Sequence, residues 1–166
     1  MSRVALTIKT VLFTVVMPGT VVGWLPWFVI LSGGTPLAWY TAGERHLLGF
    51  IPLSLGLALY IACATGFVVE GRGTPAPIDP PRALVVHGPY RWVRNPMYVA
   101  ILGILLGEVM LSPSARLLAY AAVVWGAFHL FITLYEEPKL ASLFGDEFAD
   151  YRARVPRWIP RRPRDR

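Results

Sequence analysis

The chain is 166 residues long, 55% apolar and only 16% charged, with a mean hydropathy of +0.51. Soluble domains run at about 45–50% apolar and about 25% charged, so a soluble enzyme, a disordered chain and a nucleic-acid-binding domain all fit poorly. The formal charge of +6 in so apolar a chain points to cationic flanks around membrane spans and not to DNA, and the single Cys63 excludes an intrachain disulfide and a thiolate metal cluster.

Four apolar stretches follow in chain order. Residues 4–31 carry Lys9 near the start and a Pro18-Gly19 pair that predicts a break. Residues 47–69 run for 23 positions without a charge. Residues 97–111 are only 15 long and contain Glu108, and residues 115–135 carry Arg116 at their start. About 20 apolar residues cross a bilayer as a helix, so the first, second and fourth stretches are long enough. The third rises only about 22 Å. Ser112-Pro113-Ser114 separates it from the fourth and predicts a tight antiparallel hairpin. The alternative for residues 4–31, a secretory signal peptide, is disfavoured because the apolar run is too long and no clear small-residue cleavage site follows.

Lys and Arg set the orientation. With a cytoplasmic N-terminus, the cytoplasmic segments hold 14 of the 16 basic residues, and only Arg45 and Arg116 lie outside. The expectation is an all-α membrane protein of one domain, 1–166, with four spans, an interfacial amphipathic helix near the C-terminus, and both termini cytoplasmic. Trp27, Trp39 and Tyr40 then belong to the outer interface, and Tyr90, Trp92, Tyr135, Tyr151 and Trp158 to the inner one. Ser54, Ala58, Ala62 and Gly66 recur every fourth position, and Gly103 and Gly107 make a G-x-x-x-G; both read as faces for close helix packing in lipid.

The polar segments carry the chemistry. Residues 74–81 contain four prolines and read as extended. Residues 83–86 are short and apolar. Asn95-Pro96 is a helix start, with Asn as N-cap and Pro at the first helical position. The positive end of the third helix then lies beside Arg91 and Arg94, a setting that suits an anionic group. Glu136-Glu137 breaks the basic trend at the end of the fourth span. Beyond it, Leu140, Leu143, Phe144, Phe148 and Tyr151 share one face of an interfacial helix. The tail from Val155 to Arg162 is basic, aromatic and proline-broken, and reads as adhering to anionic headgroups. The hairpin predicts that Asn95 and Tyr98 lie beside Tyr135 and Glu136. That gathering of arginines, carboxylates and aromatics suits a zwitterionic, aromatic-bearing ligand such as a nucleoside with an amino-acid tail.

Two motifs, read together, resemble the integral-membrane methyltransferases that include isoprenylcysteine carboxyl methyltransferase and the phospholipid N-methyltransferases. The first is G-x-Y-x-x-x-R-[HN]-P-x-Y, here residues 88–98. The second is a paired-Glu segment with a downstream aromatic and VP pattern, here Glu136, Glu137, Phe144, Gly145, Phe148, Tyr151, Val155 and Pro156. The resemblance covers residues 47–160 and implies S-adenosylmethionine as methyl donor, bound by segments 82–98 and 136–160. It implies cofactor contacts from Leu84, Val85, His87, Tyr90, Arg94, Asn95, Pro96, Met97 and Tyr98. Glu136 would bind the cofactor's polar end with Glu137 in support. A sulfonium and an ammonium favour carboxylates and aromatic faces, and a carboxylate favours arginine. The implied partners are the lipid bilayer and a lipophilic methyl acceptor, with no nucleic acid and no metal. The implied location is an integral membrane position, the cytoplasmic membrane in a bacterium, with the active site facing the cytoplasm.

Asn95 stands where the isoprenylcysteine enzymes have His, and Ile132 where they place a substrate-contacting Arg. Both predict an acceptor other than a prenylcysteine carboxylate. His129, in the fourth span, and Glu137 are the candidate proton acceptors; a His129 satisfied by a neighbouring helix is the alternative. Glu108 and Arg116 are expected to pair near the outer surface, Glu44, Arg45 and His46 to form an outer loop, and Cys63 to pack. The readings from other classes are a small transporter or channel subunit and a non-catalytic adaptor. The polar residues collect at one surface instead of tracing a path, and an adaptor leaves the paired acids unexplained.

Overall fold

A computed structural model describes residues 3–32, 44–69 and 83–162. Trp39, Tyr40 and residues 74–81 fall outside these, as do the side chains of Glu44, Arg45 and His46. The elements among the described residues are all helices, with no strand. Three rods among them, Thr7–Ile30, Leu47–Gly66 and the one that begins at Ala115, are long and apolar enough to cross a membrane. In the last of these no Asp, Glu, Lys or Arg occurs between Arg116 and Glu136, so its apolar part ends at Tyr135.

The first rod joins α1 (Arg3–Gly19) and α2 (Leu25–Ser32) without the break expected at Pro18-Gly19. Proline removes a backbone donor and crowds the preceding turn. The chain accommodates this by widening into a π-turn over Thr20–Trp24. The Tyr120 hydroxyl then donates to the Val21 carbonyl at 2.8 Å.

The α3 helix (Phe50–Val69) follows a 3-10 turn, Glu44–Gly49, and packs on α4 (Pro96–Leu111) through glycine. A Cβ on Gly56 would lie 2.6 Å from the Ala100 carbonyl, and one on Gly107 2.7 Å from the Gly49 carbonyl. The expected face of α3 is therefore corrected. Ser54, Ala58 and Ala62 are exposed, and nothing approaches Gly66 within 4 Å; Gly49, Gly56, Tyr60 and Cys63 face inward instead. Only glycine permits this backbone contact, and it occurs on both helices along the inward face.

Three residues join α4 to α5 (Ala115–Phe131), whose start is capped by Ser114 Oγ accepting from the Leu117 N–H. The pair expected between Glu108 and Arg116 does not form. Arg116 donates to the Ser32 carbonyl at 3.1 Å, at the open end of α2, where carbonyls lack helical partners. One carboxylate oxygen of Glu108 is buried without a partner. The core, Tyr60, Ala100, Ile101, Leu105 and Val124, draws on α3, α4 and α5.

The last rod continues through a π-helical stretch, Ile132–Glu136, into α6 (Glu137–Arg154). Gly145, with φ of 50° and ψ of −123°, kinks α6 in a conformation that a side chain disfavours. Of the predicted apolar face, Phe148 and Tyr151 are buried, whereas Leu143 is exposed before the kink.

Candidate active site

The site forms where the start of α4, the end of α5 and the segment after α6 converge. After Arg154 the chain doubles back as an extended strap. The Arg94 N–H donates to the Pro156 carbonyl at 2.8 Å, and the Arg161 N–H to the Trp92 carbonyl at 2.9 Å. Asn95 takes the N-cap position of α4, but its side chain makes no capping bond. Its Nδ2 donates instead to the Arg157 carbonyl at 3.1 Å. The expected Asn cap is thus replaced by a strap contact, and Pro96 at the first helical position remains the local start signal.

Glu137 sits at the centre of this clasp. Its side chain is 9% exposed and pairs with Arg94 Nη2 at 3.0 Å and Arg157 Nη2 at 2.7 Å. Arg157 Nε donates to the second carboxylate oxygen at 2.9 Å, completing a two-pronged contact. Burial pushes the Glu137 carboxyl upward, but the Arg157 hydrogen bond and the Arg94 charge outweigh it and hold it below the ordinary carboxylate range. Its carboxylate in turn raises Arg157 above the usual guanidinium value. Burial lowers Arg94, with Glu137 opposing.

The adjacent Glu136 points elsewhere. The wide turn of Ile132–Glu136 carries an extra residue, which separates the directions of the two glutamates; such turns occur often at functional sites. Glu136 Oε2 accepts from the Tyr98 hydroxyl at 2.7 Å. Among the described residues no lysine or arginine forms a salt bridge with it. It lines a cavity of about 280 Å³ with Tyr90, Arg94, Asn95, Met97, Tyr98 and the aromatic rings Phe128 and Phe131. Phe13, Met17, Pro18 and Val21 of the first rod close the apolar end. A second cavity, about 250 Å³, holds Val85 and His87 and shares Tyr90 as a wall.

The geometry thus brings together most of the residues named from the sequence. Glu136, Tyr98, Asn95, Met97, Arg94 and Tyr90 share one cavity, and Val85 and His87 lie across Tyr90 from it. Pro96 is buried, Leu84 partly so, and neither lines these cavities. Glu137 lies behind the wall. His129 stacks on Trp125 and Trp158, at centroid distances of 5.7 and 6.3 Å, and its Nδ1 accepts from Trp158 Nε1 at 3.3 Å. It does not line the cavity, and neither does the fully buried Ile132. Tyr135 is also turned away, with Lys139 Nζ over its ring at 5.3 Å.

Sequence reasoning missed Arg157, which a basic tail disguises, and Tyr60, whose hydroxyl bonds Thr14 Oγ1 at 3.0 Å beside the cavity. The one sequence signal for Arg157 was the Val155-Pro156 pair ahead of it, which favours an extended backbone.

Similarity to known proteins gives the family of the chain. A family model described as phospholipid methyltransferase (PEMT) matches residues 45–147. The protein-S-isoprenylcysteine O-methyltransferase of Schizosaccharomyces pombe is 40% identical over 78 residues, covering 46% of this chain and 33% of the yeast protein. The mouse protein of the same name is 40% identical over 78 residues, covering 46% of this chain and 27% of its own. The Arabidopsis thaliana protein-S-isoprenylcysteine O-methyltransferase B is 38% identical over 78 residues, 46% of this chain and 39% of the plant protein. The match therefore spans well under half the length of these curated relatives. No solved structure matches the chain. Apolar rods long enough to cross a membrane, the two polar segments meeting at one cavity, and a family match over more than half its length together make this an integral membrane protein of the phospholipid methyltransferase family.

Proposed function

We propose that the chain is a membrane-embedded methyltransferase that moves a methyl group from S-adenosylmethionine to a lipophilic acceptor. The observation that carries this reading is Glu136. It is a carboxylate without a salt-bridge partner among the described residues, held by Tyr98 in an aromatic-walled cavity, while its neighbour Glu137 is already engaged by two arginines. Burial raises the Glu136 carboxyl above its ordinary value, with the Tyr98 hydrogen bond opposing, so a cationic ligand is what would favour its ionised form, and tyrosine and phenylalanine faces favour a sulfonium or ammonium. Arg94 on the same wall offers a guanidinium to a ligand carboxylate. The residues present therefore fit the methyl donor that the family implies.

When bound, S-adenosylmethionine supplies an electrophilic methyl on its sulfonium. Glu136 attracts the cationic part of the ligand, and Tyr98 fixes the carboxylate that does so. Tyr90 and Tyr98 wall the ligand, Glu137 holds Arg94 in place, and the strap through Arg157 locks Glu137. Alignment of this kind supplies several kcal/mol of a displacement barrier. His129 and Glu137, candidates for proton transfer from the sequence, enter as positioning groups, because neither lines the cavity.

The reading has four spans, with α4 and α5 as a hairpin, both termini cytoplasmic, and the cavity opening to the cytoplasm. It is supported by the placement of 14 of 16 basic residues on one side. The apolar end of the cavity, formed by Phe13, Met17 and Val21, suits an acceptor arriving from the bilayer. Among the described residues Arg94 is the one guanidinium on the cavity wall, and it is committed in this reading to Glu137 and to the carboxylate of the methyl donor, so an acceptor carboxylate would find no further arginine there. A neutral or amine-bearing lipophile is therefore the better acceptor, although the relatives' names point to isoprenylcysteine. Slow or absent turnover of N-acetyl-farnesylcysteine by the purified chain is the expected outcome, and rapid turnover would refute this choice.

Binding of labelled S-adenosylmethionine to the purified full chain tests the main reading. Glu136→Gln keeps the Tyr98 contact but removes the charge, and affinity should fall by about tenfold to a hundredfold. Unchanged affinity in a folded Glu136→Gln protein would overturn it.

A further inference from the structure

Outside the candidate active site, four arginines from three elements converge on one surface pocket. Arg91 ends the Gly88–Arg91 turn, Arg154 ends α6, and Arg161 and Arg162 lie on the strap. The pocket is about 370 Å³, with Tyr151 and the single carboxylate Glu147 also on its wall. Among the described residues none of the four guanidiniums forms a salt bridge. The backbone bond from Arg161 to Trp92 nevertheless draws the strap onto the Arg91 turn, against the mutual repulsion of these charges. Four cations crowded around one cavity raise its positive potential and draw anions to it.

We propose that this pocket seats the phosphate of one anionic membrane lipid. Guanidinium is the side chain best matched to phosphate, because its planar donors meet two oxygens at once. A membrane lipid is the favoured source because large apolar side chains stand exposed beside the arginines. Trp92, next to Arg91, is 47% exposed, and Ile159, two residues before Arg161, is 79% exposed. Such side chains enter the acyl boundary while the neighbouring cations meet the headgroups. The site is separate from the proposed methyl-transfer cavity, since none of its four arginines lines that cavity, and it does not depend on that reading. The two are joined by one hydrogen bond. The Tyr151 hydroxyl donates to the Tyr90 carbonyl at 2.8 Å, so the pocket's floor supports a wall of the cavity.

The test is lipid retention by the full chain in phosphatidylcholine nanodiscs with and without phosphatidylglycerol, read by native mass spectrometry. One phosphatidylglycerol should remain per chain. Its affinity should fall roughly thirtyfold in Arg161→Gln/Arg162→Gln, from two lost surface charges. Lys139→Gln, a cation of α6 outside the pocket, should leave retention unchanged. Arg91→Gln, on the opposite wall, must reproduce the loss with circular dichroism unaltered, which keeps the result independent of any damage to the strap. Equal retention in the double variant or in Arg91→Gln overturns the proposal. Displacement of the lipid by inorganic phosphate at matched concentration also overturns it, by assigning the pocket to a soluble phosphate.

Discussion

Two adjacent glutamates have opposite fates, and the difference governs the response to acid. Glu137 is held below the ordinary carboxylate range in the folded protein, whereas the same group in an unfolded chain titrates at about 4.3. A depressed folded value means that its stabilising contribution is fully present above the unfolded value and is lost as pH falls through the folded one. Thermal unfolding in detergent should therefore show a constant strap contribution at neutral pH and a decline below about pH 4. Glu137→Gln should melt lower at neutral pH and lose that acid-dependent step, because Arg94 and Arg157 would face no charge. An identical acid profile in the variant would mean that the pair contributes nothing measurable. The paired acids, Tyr98 and the Asn95-Pro96 start were all legible in the sequence, since each breaks a local compositional trend. The division of labour between Glu136 and Glu137 came only from the family resemblance, and the two-arginine clasp on Glu137 was not legible at all. Nor was the capture of His129 by Trp158, because contacts with the strap are 20 or more residues distant in sequence and local pattern carries no trace of them.

Among the elements, the three long apolar rods and the short α4 were readable from hydropathy and length, but the packing face of α3 was not. Period-four small residues mark one face and inward glycines another, and only the second meets backbone. Gly107→Ala tests this. The added Cβ would lie 2.6 Å from Leu53 Cβ and 2.7 Å from the Gly49 carbonyl, which leaves no room without helix displacement. Overpacking of this kind costs about 1–3 kcal/mol, more than the gain of about 1 kcal/mol in helix propensity. Gly66→Ala meets nothing within 4 Å and should be neutral or slightly stabilising. Melting temperatures of the two variants, measured side by side, decide which glycine face is the real one. The two π-turns were equally hidden. A widened turn needs no special residue, so Thr20–Trp24 and Ile132–Glu136 read as ordinary helix, although the second aims Glu136 into the cavity.

For the molecule as a whole, the charge distribution makes a prediction about compartment. A reporter fused after Arg166 should be cytoplasmic, and one inserted near Gly34 should lie on the other side. An outward C-terminal reporter would put the proposed cofactor cavity in the wrong compartment and refute the orientation. The strap that closes the site also imposes an order on biosynthesis. Arg94 and Asn95 leave the ribosome some 60 residues ahead of Pro156 and Arg157, the residues that hold them. Until the strap emerges, Glu137 therefore has only Arg94 of its two arginines, and Asn95 has no carbonyl to hold. A chain released before Arg157 would carry every residue that lines the cavity and yet lack its fastening. Nascent, stalled or clipped products that end before Arg157 would thus hold an unfastened cavity, and synthesis of the strap, not of the lining, would set the moment at which it closes.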